Sequence, residues 1–166
     1  SDTIAGLGLA NAAGTVGGTN YTWTAATRQL QVSHQYLDDG TSPGNGTTQD
    51  DYNVTLTVHD DDLGTGTVQT TIVTVQNVVP QISDPSDITI LENGTAVLVT
   101  TVTDAGTLDV FSIDVNWQDG TSDTIAGLGL ANAAGTVGGT TYTWTAATRQ
   151  LQVSHQYLDD GPSPGN

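Results

Sequence analysis

The sequence predicts an all-β protein, an antiparallel β-sandwich built in repeats of about 121 residues. Three observations carry this. Apolar positions alternate at period two and nowhere at the helical 3.6. Thr, Val and Gly dominate, which suits pleated, half-buried strands joined by tight turns. And residues 1–45 return as residues 122–166 at an offset of 121, differing only at Asn20 against Thr141 and Thr41 against Pro162. That period is too long for a solenoid unit and suits one whole β-domain per repeat.

The strands follow in order. "NYTWTA" (20–25) with "RQLQVSHQY" (28–36) reads as a hairpin, and its copy lies at 141–146 with 149–157. "YNVTLTVHD" (52–60) places Tyr52, Val54, Leu56 and Val58 inward, and "DDLGTG" turns the chain into "TVQTTIVTVQNV" (67–78). "ITIL" (88–91) precedes the turn "ENG", and "TAVLVTTVTD" (95–104) follows it. "VFSIDVNW" (110–117) aligns Phe111, Ile113, Val115 and Trp117 on one face, with Trp117 expected in the core. The Gly- and Ala-rich stretch "AGLGLANAAGTVGG" (126–139, copied from 5–18) reads as a long loop or weak edge strand.

The run from residue 76 to 87, with two prolines among short polar residues, reads as a linker. On that division residues 1–78 are the C-terminal part of one repeat and 79–166 the N-terminal part of the next. Half a sandwich exposes unpaired strands. Each part is therefore expected to be completed by a neighbouring unit: 1–78 by strands like 88–117, and 79–166 by strands like 46–78.

Charge narrows the function classes. Eighteen acidic groups face two arginines, Arg28 and Arg149, for a net charge of −16. Such a surface repels nucleic acid and anionic membranes. There is no Cys, so no disulfide, and no Lys, so no Lys–Asn cross-link. No apolar run reaches the roughly 18 residues of a membrane-spanning helix.

Three phrases in succession carry a family likeness: "VTDAGTLDVFSIDVNWQDGT" (102–121), "VSHQYLDDG" (153–161) and "YNVTLTVHDDDLGTGTVQTTIVTVQNVVP" (52–80). Together they resemble the polycystic-kidney-disease (PKD) repeat. Two features depart from it: Trp117-Gln-Asp-Gly stands where Trp-Gly-Asp-Gly is common, and residues 124–141 read as an insertion. The resemblance implies an Ig-like sandwich of large extracellular or cell-surface tandem-repeat proteins, with binding or spacing roles rather than catalysis.

The acidic turns are the candidate sites. Clustered carboxylates without neighbouring Lys or Arg are hard oxygen ligands suited to Ca²⁺. In an Ig-like order Asp104 and Asp109 share a pole with equivalents of Asp60, Asp61 and Asp62. Asp38, Asp39, Asp50 and Asp51 lie at the other pole, facing Asp84 and Asp87 of the following repeat. Solvated Asp in turns explains the same residues, and no EF-hand motif is present. Four Asn-x-Thr sequons, at Asn20, Asn45, Asn53 and Asn93, are potential glycosylation acceptors.

Catalysis has no constellation. His34 and His155 each follow a Ser that alternation turns to the opposite strand face. The sequence therefore predicts a non-enzymatic structural segment of a long extracellular protein: a fibre, stalk or adhesin extender stiffened by calcium, whose partners are neighbouring copies. The alternative is an accessory module binding protein or polysaccharide, with Trp23 or Trp144 as the sugar platform.

Overall fold

The computed structural model describes residues 1–40 and 45–158. Thr41 and Pro162, one of the two differing pairs, and Asp159 and Asp160 lie outside the described residues. The protein is all-β with antiparallel sheets, consistent with a β-sandwich, and divides into two compact units, Ser1–Leu37 and Asp38–Asn166. Among the described residues no helix is long and apolar enough to cross a membrane.

The first unit is a three-stranded meander: β1 (Ala12–Val16), β2 (Thr19–Thr24) and β3 (Gln29–His34). Gly17 and Gly18, both at positive φ, make the two-residue turn between β1 and β2. β3 is an outer strand of this sheet.

The second unit begins with a separate hairpin, β4 (Gln49–Leu56) and β5 (Gln69–Gln76). Tyr52 and Val54 are half-buried as alternation requires, but Leu56 and Val58 are exposed, so the inward row expected for this strand is only half used. Next come β6 (Gln81–Ile82), β7 (Thr95–Thr103), β8 (Phe111–Asn116), β9 (Ser122–Leu128), β10 (Ala133–Val137), β11 (Thr140–Thr145) and β12 (Gln150–Gln156). One sheet runs β10-β11-β12-β7-β6, and β8 pairs with β9.

The core of this unit lies between those two sheets. Phe111, Trp117, Ile125 and Leu128 come from the β8–β9 side; Ala96, Val102, Trp144, Leu151 and Val153 come from the five-stranded side. Period-two alternation places them. Along β7, Ala96, Thr100 and Val102 are buried and Leu98 is partly buried, whereas Val97 and Val99 are exposed. Trp117 is 5% exposed, as its strand predicts.

One expectation is corrected and one is sharpened. Residues 88–91 form no strand, and β6 at Gln81–Ile82, inside the expected linker, pairs with β7 instead. Ser83 anchors it there, since its hydroxyl accepts from the Thr101 amide at 2.9 Å. The stretch 124–141, read as an insertion whose residues 126–139 form a long loop or weak edge strand, supplies most of β9 and all of β10, an outer strand of the five-stranded sheet. Its few apolar residues are enough because Ile125 and Leu128 both reach full burial. Gly127, at φ 75°, lets the chain bend between them.

Candidate functional site

Two side-chain clusters in the second unit draw on the residues singled out by sequence. The first lies around the loop from β7 to β8. Asp104 turns this loop by accepting the Gly106 amide at 3.0 Å. Arg149, held in the left-handed region at φ 48°, donates from its guanidinium to the carbonyls of Asp104 (3.1 Å) and Gly106 (2.6 Å). The same guanidinium stands 5.3 Å from the centre of the Phe111 ring.

Beside it, burial raises the Asp109 carboxyl to about 6, reinforced by the charges of Asp104 and Asp38 and opposed by Arg149. Asp39 is also raised, first by partial desolvation and then by Asp38, with Asp50 adding repulsion. Asp38 itself is buried at 9% exposure. One oxygen on each of Asp38, Asp39 and Asp109 is buried with no hydrogen-bond partner. Orphaned buried carboxylate oxygens ask for a proton or a cation. The donor set is all oxygen, which suits Ca²⁺. Yet among the described residues no three His, Asp or Glu side chains are gathered tightly enough to hold a metal ion as they stand. Arg149 already supplies one positive charge here.

The other acidic residues are placed separately. Asp60 accepts the amides of Asp62 (3.1 Å) and Gly64 (2.5 Å), spending one oxygen on its own exposed turn, which Asp61 shares. Asp50 accepts from Asn45 and Thr47 at 2.7 and 2.9 Å, and Asp51 accepts from Thr74 across the β4–β5 hairpin. Asp84 and Asp87 are exposed. The structure thus brings Asp104 and Asp109 together with Asp38.

The second cluster joins the Trp-Gln-Asp-Gly turn to the Ser-His-Gln-Tyr strand. The His155 ring stacks on Trp117 at 5.0 Å and 18°. Its Nδ1 faces the Gly139 carbonyl at 3.0 Å and its Nε2 faces Asp119 Oδ2 at 2.8 Å. Both partners are acceptors, so the imidazolium, which donates from both nitrogens, satisfies them together. Burial works against that charge, but the Gly139 carbonyl and the Asp119 carboxylate outweigh it and raise His155 above its ordinary value. Asp119 is lowered in return, chiefly by His155.

Around this pair the Trp117 indole donates to Thr140 Oγ1 at 2.7 Å, and Thr140 donates to Asp123 Oδ2 at 2.7 Å. The Tyr157 hydroxyl donates to the Trp117 carbonyl at 2.9 Å. Every group is spent on another, so the cluster ties turn, sheet and strand together. Sequence reading placed Trp117 in the core but gave His155 no role. The signal was present in the paired phrases Trp-x-Asp-Gly and His-x-Tyr, whose Asp and His meet here.

Neither candidate sugar platform is a free ring. Trp144 is 1% exposed, and Trp23 is half-buried. Each indole donates to a glycine carbonyl at 2.9 Å, Gly129 and Gly8 respectively. The chain matches no protein-family model, no curated protein and no solved structure.

Proposed function

We propose that this chain is a structural segment of a long extracellular tandem-repeat protein, an extender or fibre whose repeats are PKD-like, Ig-type sandwiches. The observation that carries this reading is the 45-residue duplication at a period of 121 with only two differences. A spacer gains length from each copy and needs the same neighbour contact each time. An antiparallel sandwich core of ordinary apolar residues, knitted by Trp117, Asp119 and His155, supports the same reading, as does the strongly acidic surface.

Calcium belongs to this proposal through Asp38, Asp39, Asp104 and Asp109. The unpartnered oxygens of Asp38, Asp39 and Asp109 and the raised carboxyls of Asp39 and Asp109 are what a bound cation would relieve. Titration calorimetry with Ca²⁺ at pH 7.5 should give heat, and Asp109→Asn should remove it. Absence of heat together with a melting temperature unmoved by chelator rejects calcium and leaves the spacer reading standing. For the spacer itself, electron microscopy of a chain of several 121-residue repeats should show a rod lengthening by a constant step per repeat. Beads on slack linkers, or one globule, would reject it.

A further inference from the structure

The duplicated segment folds in both units with the same local geometry but very different burial. In the second unit β12 pairs with β7, with Gln150 opposite Thr101, Leu151 opposite Thr100, Val153 opposite Leu98 and His155 opposite Ala96. Under that cover and β8–β9, Leu151 and Val153 are 1% and 4% exposed. In the first unit the identical β3 is an outer strand, and Leu30 and Val32 are 36% and 37% exposed. His34 is exposed where His155 is 8% exposed, and Trp23 is half-buried where Trp144 is 1% exposed. Residues 1–7 form no strand, although their copy supplies β9 with its buried Ile125 and Leu128.

We infer that the outer edge and apolar face of the β1–β2–β3 sheet are a strand-accepting surface, filled by residues 82–119 of a second copy of this repeat. The inference rests on the tandem-repeat reading, which it deepens by naming the partner and the register. The occupant is identified by the chain itself, because the copy of these 37 residues at 122–158, which differs only at Thr141, holds that segment within the second unit. In the first unit the incoming β7 lies antiparallel on β3, with Thr101 opposite Gln29, Thr100 opposite Leu30, Leu98 opposite Val32 and Ala96 opposite His34. Three polar anchors match as well. Arg28, at φ 51° like Arg149 at φ 48°, is set to reach the incoming Asp104 and Gly106 carbonyls. His34 receives the incoming Asp119, and Thr19 receives the incoming Trp117 indole. Backbone pairing gives affinity in such strand addition, and alternate side-chain positions give specificity.

The test adds a synthetic peptide of residues 79–121 to the full chain and follows amide hydrogen exchange. In the chain alone at low concentration, β3 should exchange far faster than β12. With excess peptide, β3 should gain at least tenfold protection. A peptide carrying Thr100→Pro, which cannot complete the ladder, should give no protection, and it leaves the chain itself untouched. Val32→Asp in the chain should abolish binding while β12 keeps its protection. The inference is overturned if the peptide leaves β3 unprotected, if the proline peptide protects it equally, or if β3 of the monomeric chain is already as protected as β12. Such a failure would not touch the rod measurement above, which stands or falls on the repeat spacing.

Discussion

Residues 1–37 and 122–158 are the same sequence but for one position, yet one set builds an open three-stranded sheet and the other builds the core of a sandwich. What they share is local. Ala12 faces Trp23 as Ala133 faces Trp144. Asn11 accepts the Ala25 amide at 2.9 Å as Asn132 accepts that of Ala146. Gly17 and Gly138 turn at φ 58° and 53°, where an added Cβ would strike Asp2 or Asp123. What differs is everything that depends on β7 and β8. Turn chemistry and hairpin register are therefore written within the 37 residues, and burial is conferred by the strands laid over them.

The sharpest way to break this comparison is to truncate the same side chain in both copies. Leu151→Ala, at a fully buried position, should cost about 2–5 kcal/mol. Leu30→Ala, a third exposed, should cost about 1 kcal/mol or less. Urea denaturation followed by far-ultraviolet circular dichroism reads both, and equal losses would mean that the two sheets are equally covered in solution.

That contrast also sets the limit of what could be read from sequence. The hairpins at 19–34 and 140–156, the alternation of β8 and the core position of Trp117 follow from period two and turn residues, which act over a few positions. The stretch 126–139 is legible only as a loop or weak edge strand, because Gly and Ala carry little strand signal of their own, and β10 is such an outer strand. β9, which runs into it, exists because Ile125 and Leu128 find a core already made by distant residues. Ile88–Leu91 fails in reverse: it has strand composition but forms no strand, and the pairing on that edge of β7 is made by Gln81 and Ile82 with Thr103 and Val102. For the candidate site, the acidic turns were legible as turns, while the meeting of Asp38 with Asp109 joins residues 71 positions apart and depends on tertiary placement.

The polar network offers the next largest contrast. Thr140 is fully buried and accepts the Trp117 indole, so Thr140→Val leaves that N–H unpaired and should cost about 1–3 kcal/mol. Thr19 is only half-buried and keeps just the equivalent carboxylate contact, to Asp2 at 2.8 Å. Thr19→Val should therefore change stability by about 0.5 kcal/mol or less. Matching effects at the two threonines would show that the indole bond contributes nothing.

Protonation separates the copies more gently. His155 is raised above 6.5, so the folded state binds its proton more tightly than the unfolded state. Its contribution is complete below 6.5 and is lost as pH rises through the higher folded value. Asp119 is lowered below 3.8, so its contribution is complete above 3.8 and is lost as pH falls through the folded value. Between those limits the pair is fully engaged. Asp119→Asn should flatten the decline of melting temperature above pH 6.5, and nuclear magnetic resonance should show His155 titrating at a lower pH in that variant than in the parent chain. Superimposed His155 titration curves for the two proteins would remove the ion pair.

The smallest effect tests the premise itself. Within the paired stretches the one difference is Asn20 against Thr141, both exposed on β2 and β11. Asn20 accepts from Thr15 at 2.5 Å, and Thr141 shares a hydroxyl contact with Thr136 at 3.2 Å, so each closes the same cross-strand position. Asn20→Thr, which makes the two stretches identical, should shift stability by about 0.5 kcal/mol or less. It should leave the exchange contrast between β3 and β12 unchanged. If that single change instead slowed exchange in β3 to the rate of β12, the difference between the sheets would lie in the side chain at position 20. The strands laid over them would then no longer explain it.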